Sequence, residues 1–297
     1  MDTLLEAIDV CDVDGFCYGN YTDEEAGTGC TVIVAPEGAT GGVDVRGGAP
    51  ASRETDLLRP ENTVDKVHAV CLSGGSAFGL EAASGVAREL ESRGIGLPVG
   101  PTQVPIVCSS CIFDLAFGNP TVRPDIEAGI AAVREALDNT PTKLEQGNVG
   151  AGTGATVGKL MGPATCMKAG LGAAALALGP IKVGAVVSVN ACGNVVDPFT
   201  GEWVAGMRAA ADSDQIVDME LAAFAAAGSM QMPLGPTHTT NDGDTIYTLA
   251  SGKLGAQASV AVPLDLLGML AVRALQTAIV NGAKTAKTSH GIPGAAK

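Results

Sequence analysis

The chain has 297 residues, of which 46% are hydrophobic but only 3% aromatic, and it carries a formal net charge of −14. That balance excludes nucleic acid and anionic membrane surfaces as natural partners, and the length allows one large domain or two ordinary ones. Forty glycines point to tight turns and closely approaching backbones rather than to a core filled by large side chains.

The first residues, Met1-Asp2-Thr3, lack the basic and apolar regions of a secretory leader, so a cytoplasmic protein is expected. The eight scattered cysteines are then expected as free thiols. Residues 29–35 (GCTVIVA) read as a short buried strand closed by Pro36-Glu37-Gly38, and residues 43–48 (VDVRGG) as a second one. Residues 67–72 (VHAVCL) form another β-branched run that ends in Ser73-Gly74-Gly75-Ser76. A helix follows over residues 77–93, with Leu80, Ala83, Ala87 and Leu90 on one face and Gly94 as the stop. Residues 104–107 and 111–115 look like strand pieces, and residues 125–137 like an amphipathic helix introduced by Pro124. Cys108-Ser-Ser-Cys111 has metal or redox spacing, but no second Cys or Cys/His pair completes it, so no metal or cofactor is expected.

Beyond the glycine-rich run 147–159, residues 173–178 and 183–190 read as two strands joined by a turn at Gly179-Pro180. That turn breaks residues 169–189 into pieces too short to cross a bilayer. Ser213 is placed to cap a helix over residues 215–227. Residues 245–249 and 256–262 are strand-like, and residues 263–280 form a last amphipathic helix with Gly282 as its cap. No linker divides the chain, so a single domain is expected over residues 1–282, with residues 283–297 as a flexible tail.

Two stretches carry chemistry. Residues 147–159 (GNVGAGTGATVGK) invite a nucleotide site but fail its spacing. Thr153 stands where a P-loop has its first glycine, Leu160 follows Lys159, and Gly152, Gly154 and Gly158 miss the dinucleotide pattern. What the run offers is close backbone approach, several N–H groups and one cation, Lys159. The second stretch, residues 233–247 (PLGPTHTTNDGDTIY), gathers hydroxyls, His238, Asp242 and Asp244. By itself it reads as turn chemistry, although so many polar groups make poor core material.

Six ordered segments change that reading: VDVRGGAPASRETDLL, VHAVCLSGGSAFGLEAASGV, VPIVCSSCIFDL, GNVGAGTGATVGK, VGAVVSVNACG and HTTNDGDTIY. Together they resemble the L-aminopeptidase/D-esterase family of self-cleaving hydrolases, which also holds the β-peptidyl aminopeptidases and the nylon-oligomer hydrolase. The resemblance implies an α+β fold, a four-layer αββα sandwich of the N-terminal-nucleophile-hydrolase type. In such enzymes the chain cuts itself before a Ser or Thr, whose new α-amine serves as base for its own hydroxyl. Carried over residue by residue, it implies that Asn190 assists at the oxyanion, Lys159 tunes the nucleophile or holds a carboxylate, and Asp242 and Asp244 orient the nucleophile. It also implies an amine pocket drawn from Ser109, Ser110 and Asp114, a small peptide or amide as substrate, and a homo-oligomer.

The sequence departs from the family pattern at the cleavage motif. One strand and one helix are missing before the Asp-Gly-Asp stretch, so residues 236–240 (PTHTT) align in two ways. Either they hold no nucleophile, or they are a fused cleavage motif with Thr239 as the nucleophile. The alternative to a peptidase or amidase is therefore a non-catalytic homologue that binds small amides or assembles with intact relatives.

Overall fold

A computed structural model describes residues 5–160, 162–218, 242–254 and 262–296. The strands of the two main sheets are β1 (Leu5–Ile8), β2 (Cys17–Asp23), β3 (Thr28–Gly47), β4 (Ser52–Arg53) and β5 (Val67–Ser73), then β6 (Val107–Cys111), β7 (Leu171–Leu178), β8 (Ile181–Ser188) and β9 (Gly243–Ala250). The α-helices among the described residues are α1 (Ala82–Ser92), α2 (Ile126–Arg134) and α3 (Leu264–Lys284).

Strand β3 organises the larger sheet, whose order is β9-β3-β5-β6-β4. Its first half pairs with β2 and its second half with β9, and β5 takes the opposite edge. The two strands expected over residues 29–35 and 43–48 are thus one. The expected turn at Pro36-Glu37-Gly38 is a register shift between Val34 and Ala39, an irregularity that bends a strand without ending it. The second sheet is antiparallel, in the order β1-β7-β8.

Alternation along the strands builds the layers, because successive side chains face opposite ways. Cys30, Val32 and Val34 of β3 pack with Ala83, Val86 and Leu90 of α1 and with Ala132 and Val133 of α2. Ile33 points the other way, into a cluster with Leu171, Ala173 and Ala175 of β7. The opposite face of β7 meets α3, where a Cβ on Gly172 would stand 1.9 Å from the Ala278 carbonyl. Helices, large sheet, small sheet and α3 therefore stack in the expected αββα order.

Helix α3 is long and apolar enough to cross a membrane by length and composition, yet it packs along β7 and β8. It runs through Gly282, expected as its cap. That glycine is instead buried against Gly170 and Gly172. Residues 285–296, expected to fray, fold back onto the body. Asn148 exchanges two 2.9 Å hydrogen bonds with Lys287, and the Lys168 N–H donates to the Pro293 carbonyl at 2.8 Å. The strand expected over residues 256–262 lies almost wholly outside the described residues, as does most of the helix expected over 215–227. Residues 215–218 are not helical, and Ile216 bridges to Arg208.

Candidate active site

Three stretches far apart in sequence meet where the glycine-rich run crosses the end of β8. The run turns through a short 3-10 segment, Gly150–Gly152, and then lays Thr156–Val157 against Met167–Lys168. Its last residues lie along the chain leaving β8. The N–H groups of Gly158 and Lys159 donate to the carbonyls of Gly193 and Cys192, both at 2.9 Å. Gly158 has φ +75°, and a Cβ there would stand 2.1 Å from the Met207 nitrogen. Only glycine tolerates both conditions.

That crossing brings Lys159 onto Asn190. The Lys159 Nζ donates to Asn190 Oδ1 and to the Asn190 backbone carbonyl, each at 2.8 Å. Asn190 Oδ1 also accepts from the Thr156 N–H at 3.0 Å, and its Nδ2 donates to the Phe113 carbonyl at 3.1 Å. Asn190 is thereby held with its oxygen toward the lysine. Burial lowers the Lys159 pKa to about 8, against the opposing pull of Cys192 and Asp242. An ammonium has three N–H bonds; among the described residues two are spent on Asn190, leaving one for an incoming oxygen.

The two carboxylates come from the start of β9. Period-two alternation puts Asp242 and Asp244 on one face. The intervening Gly243 is required because a Cβ there would stand 2.4 Å from the Pro50 nitrogen. Asp242 Oδ2 accepts from the Cys192 N–H at 3.4 Å. The Cys192 thiol pKa is raised to about 11, first by burial and then by Asp242, with Asp244 adding to the rise. Both acids therefore act on the same half-buried cysteine, beside Lys159.

Lys159, Asn190 and Asp242 thus gather beside Cys192, and Asp244 stands two residues further along, close enough for its charge to act on the same thiol. Thr239 lies outside the described residues. Of the three residues expected to form an amine pocket, Ser110 and Asp114 have their polar side-chain atoms bonded within the protein. Ser109 is fully buried, and its hydroxyl has no partner among the described residues. The Ser110 hydroxyl bonds the Tyr247 hydroxyl at 2.8 Å, and that hydroxyl donates to the Ser109 carbonyl. Asp114 accepts from Thr28 Oγ1 at 2.7 Å and from the Gly75 N–H at 2.6 Å. Burial raises its pKa. A surface hollow lined by Tyr21, Asp125, Arg134 and Asp138 on the α2 side shares no residue with this cluster.

Two residues beside the cluster escaped the sequence reading. Cys192 follows Asn190 closely enough that its neighbourhood was readable. Lys168, fully buried, sits in a segment with no motif at all.

The pattern of peptidase family S58 matches residues 9–296. An uncharacterized aminopeptidase of Mycobacterium leprae is 35% identical over 341 aligned positions, covering 96% of this chain and 92% of that protein. A 6-aminohexanoate-oligomer endohydrolase of Kocuria sp. is 29% identical over 315 positions, covering 92% and 85%. Among solved structures, the L-aminopeptidase D-Ala-esterase/amidase of Ochrobactrum anthropi, described as a variant of the Ntn-hydrolase fold, superposes with a TM-score of 0.64. That likeness covers 97% of this chain and 91% of the other at 16% identity, and so concerns the fold alone.

Proposed function

Since this chain belongs to peptidase family S58 and is a hydrolase, we propose that it is a self-processing aminopeptidase or amidase of small peptides and amides, with Thr239 as its nucleophile. One observation carries the reading: Lys159, Asn190 and Asp242, drawn from three separate stretches, converge on one point. Cutting before Thr239 would free an α-amine that takes the proton from the Thr239 hydroxyl as that oxygen attacks the substrate carbonyl. The third N–H of Lys159 then faces the developing oxyanion, a contribution that preorganised donors make at little reorganisation cost. Asn190 aims the lysine, and Asp242 and Asp244 hold the new amine. The protonated amine then gives its proton to the leaving nitrogen as the substrate C–N bond breaks, and water activated by the same amine hydrolyses the acyl-enzyme. Association into a homo-oligomer belongs to this reading.

Turnover of a chromogenic amino-acid amide tests it. Wild type should hydrolyse the amide, and Lys159→Met should lower kcat/KM by roughly 100-fold or more, the usual loss when an oxyanion donor is removed. Equal rates for the two proteins would overturn the reading.

The second reading, a non-catalytic homologue, draws on length. The M. leprae alignment runs over 341 positions, more than the 297 residues of this chain. The alignment therefore opens gaps in this chain, as a missing segment requires. A wild type that turns over no amide, yet melts higher in its presence, would favour that alternative.

A further inference from the structure

Among the described residues, Lys168 is the largest fully buried side chain, and no carboxylate bonds it. Its ammonium donates to the carbonyls of Ala155 at 2.6 Å, Ala169 at 2.8 Å and Gly152 at 3.3 Å. It lies 4.8 Å over the ring of Phe117. The strongest opposite charge acting on it is that of Asp114. The glycine-rich run passes between these two charges. Gly152 gives its carbonyl to Lys168, and a Cβ at Gly154 would stand 2.5 Å from the Asp114 Cβ.

The consequential contact is the shortest. The Ala155 carbonyl that binds Lys168 and the Thr156 N–H that binds Asn190 Oδ1 belong to one planar peptide group. A chain of polar contacts therefore runs from Lys168 through that peptide to Asn190 and on to Lys159. A cation on the carbonyl polarises the peptide and makes its N–H a better donor, since linked hydrogen bonds reinforce one another in a low-dielectric interior. The same contact decides which way the Asn190 amide faces. With its oxygen held toward Thr156 and Lys159, its nitrogen must turn to Phe113.

We infer that Lys168 is a positioning residue, which sets the orientation of Asn190 and thereby the place and charge of Lys159 through the peptide between Ala155 and Thr156. Its kinetic consequence rests on the hydrolase reading above; its electrostatic consequence does not. Cys192, Asp242, Cys166 and Asp114 favour the charged form of Lys159, as do its two bonds to Asn190, whereas Lys168, lowered to about 7, is mostly neutral where Lys159 titrates.

The test is Lys168→Met in the full-length protein, with two readouts. On a chromogenic amino-acid amide, kcat should fall at least about tenfold while KM stays within about threefold, the signature of a lost transition-state arrangement. With lysine labelled by carbon-13 at Cε, the Lys159 titration should move down by about half a unit or more, because the Asn190 oxygen that accepts from the charged amine is no longer held in place. A folded variant with kcat and the Lys159 titration both unchanged would overturn the inference. If wild type turns over no amide, the hydrolase reading fails, and the titration alone decides for or against Lys168. If Lys168→Met does not accumulate as folded protein, Asp114→Asn/Lys168→Met removes both buried charges and leaves neither uncompensated. It should fold, and its Lys159 titration compared with that of Asp114→Asn alone then decides. Failure of the double variant to fold would overturn the pairing of these charges across the glycine-rich run.

Discussion

Lys159 commits two bonds to Asn190, so its remaining proton matters only while the amine is charged. With its pKa lowered to about 8 by burial, kcat/KM should decline on an alkaline limb near that pH. Lys159→Arg, which stays charged throughout, should abolish the limb even if its maximal rate is lower. A pH–rate profile unaltered in Lys159→Arg would assign the limb elsewhere. At this scale the resemblance in sequence did most of the work. Asp242 and Asp244 read locally as turn residues, and only the family pattern raised them to a site, where Gly243 against Pro50 explains their spacing. Lys168 had no such signal, because burial of a lysine depends on three carbonyls contributed by residues 152, 155 and 169. Spacing in a linear chain does not show where carbonyls point.

The elements were legible to the extent that their periodicity was local. Helices α1, α2 and α3 follow apolar faces visible in the sequence. The first of them opens as a 3-10 turn, Ser76–Glu81, because the backbone is tight there: a Cβ on Gly79 would stand 1.8 Å from the Gly74 carbonyl. Strand β2 (CYGNYTD) has no apolar alternation to betray it and forms because β3 offers it an edge. The many small residues find their use where helices cross. A Cβ on Gly85 would meet the Ile126 carbonyl at 1.9 Å, and one on Gly129 would meet that of Ala82 at 2.0 Å. Gly129→Val should therefore force α1 and α2 apart and destabilise the fold by about 1–3 kcal/mol, the usual range for overpacking. Urea denaturation would measure it, and an unchanged midpoint would show that the helices are not in backbone contact.

For the whole molecule, the cut proposed before Thr239 would release a chain that contains β9, α3 and the returning tail. All three are tied to the rest: β9 by its ladder with β3, α3 by its packing on β7 and β8, and the tail by Asn148. The products should co-elute in native gel filtration and separate only in denaturant. Stability should also depend on pH with a definite sign. Lys159 and Lys168 titrate near 8 and 7 when folded, against 10.5 for ordinary lysine. Above pH 7 the unfolded chain therefore holds more protons than the folded one, and stability from this source rises with pH. Above about 9 the buried thiols, whose pKa values are raised, act in the opposite sense. The urea midpoint should climb between pH 7 and 8.5, and a steady fall over that interval would contradict the burial of the two lysines.

The most direct measurement is the intact mass of the purified protein beside that of Thr239→Ala. Wild type should give two chains whose masses add to the full length plus one water, with the second beginning at Thr239, and the variant a single uncut chain. An uncut wild type, or cleavage that persists unchanged in the variant, would contradict Thr239 as the residue that Lys159, Asn190 and the paired aspartates serve.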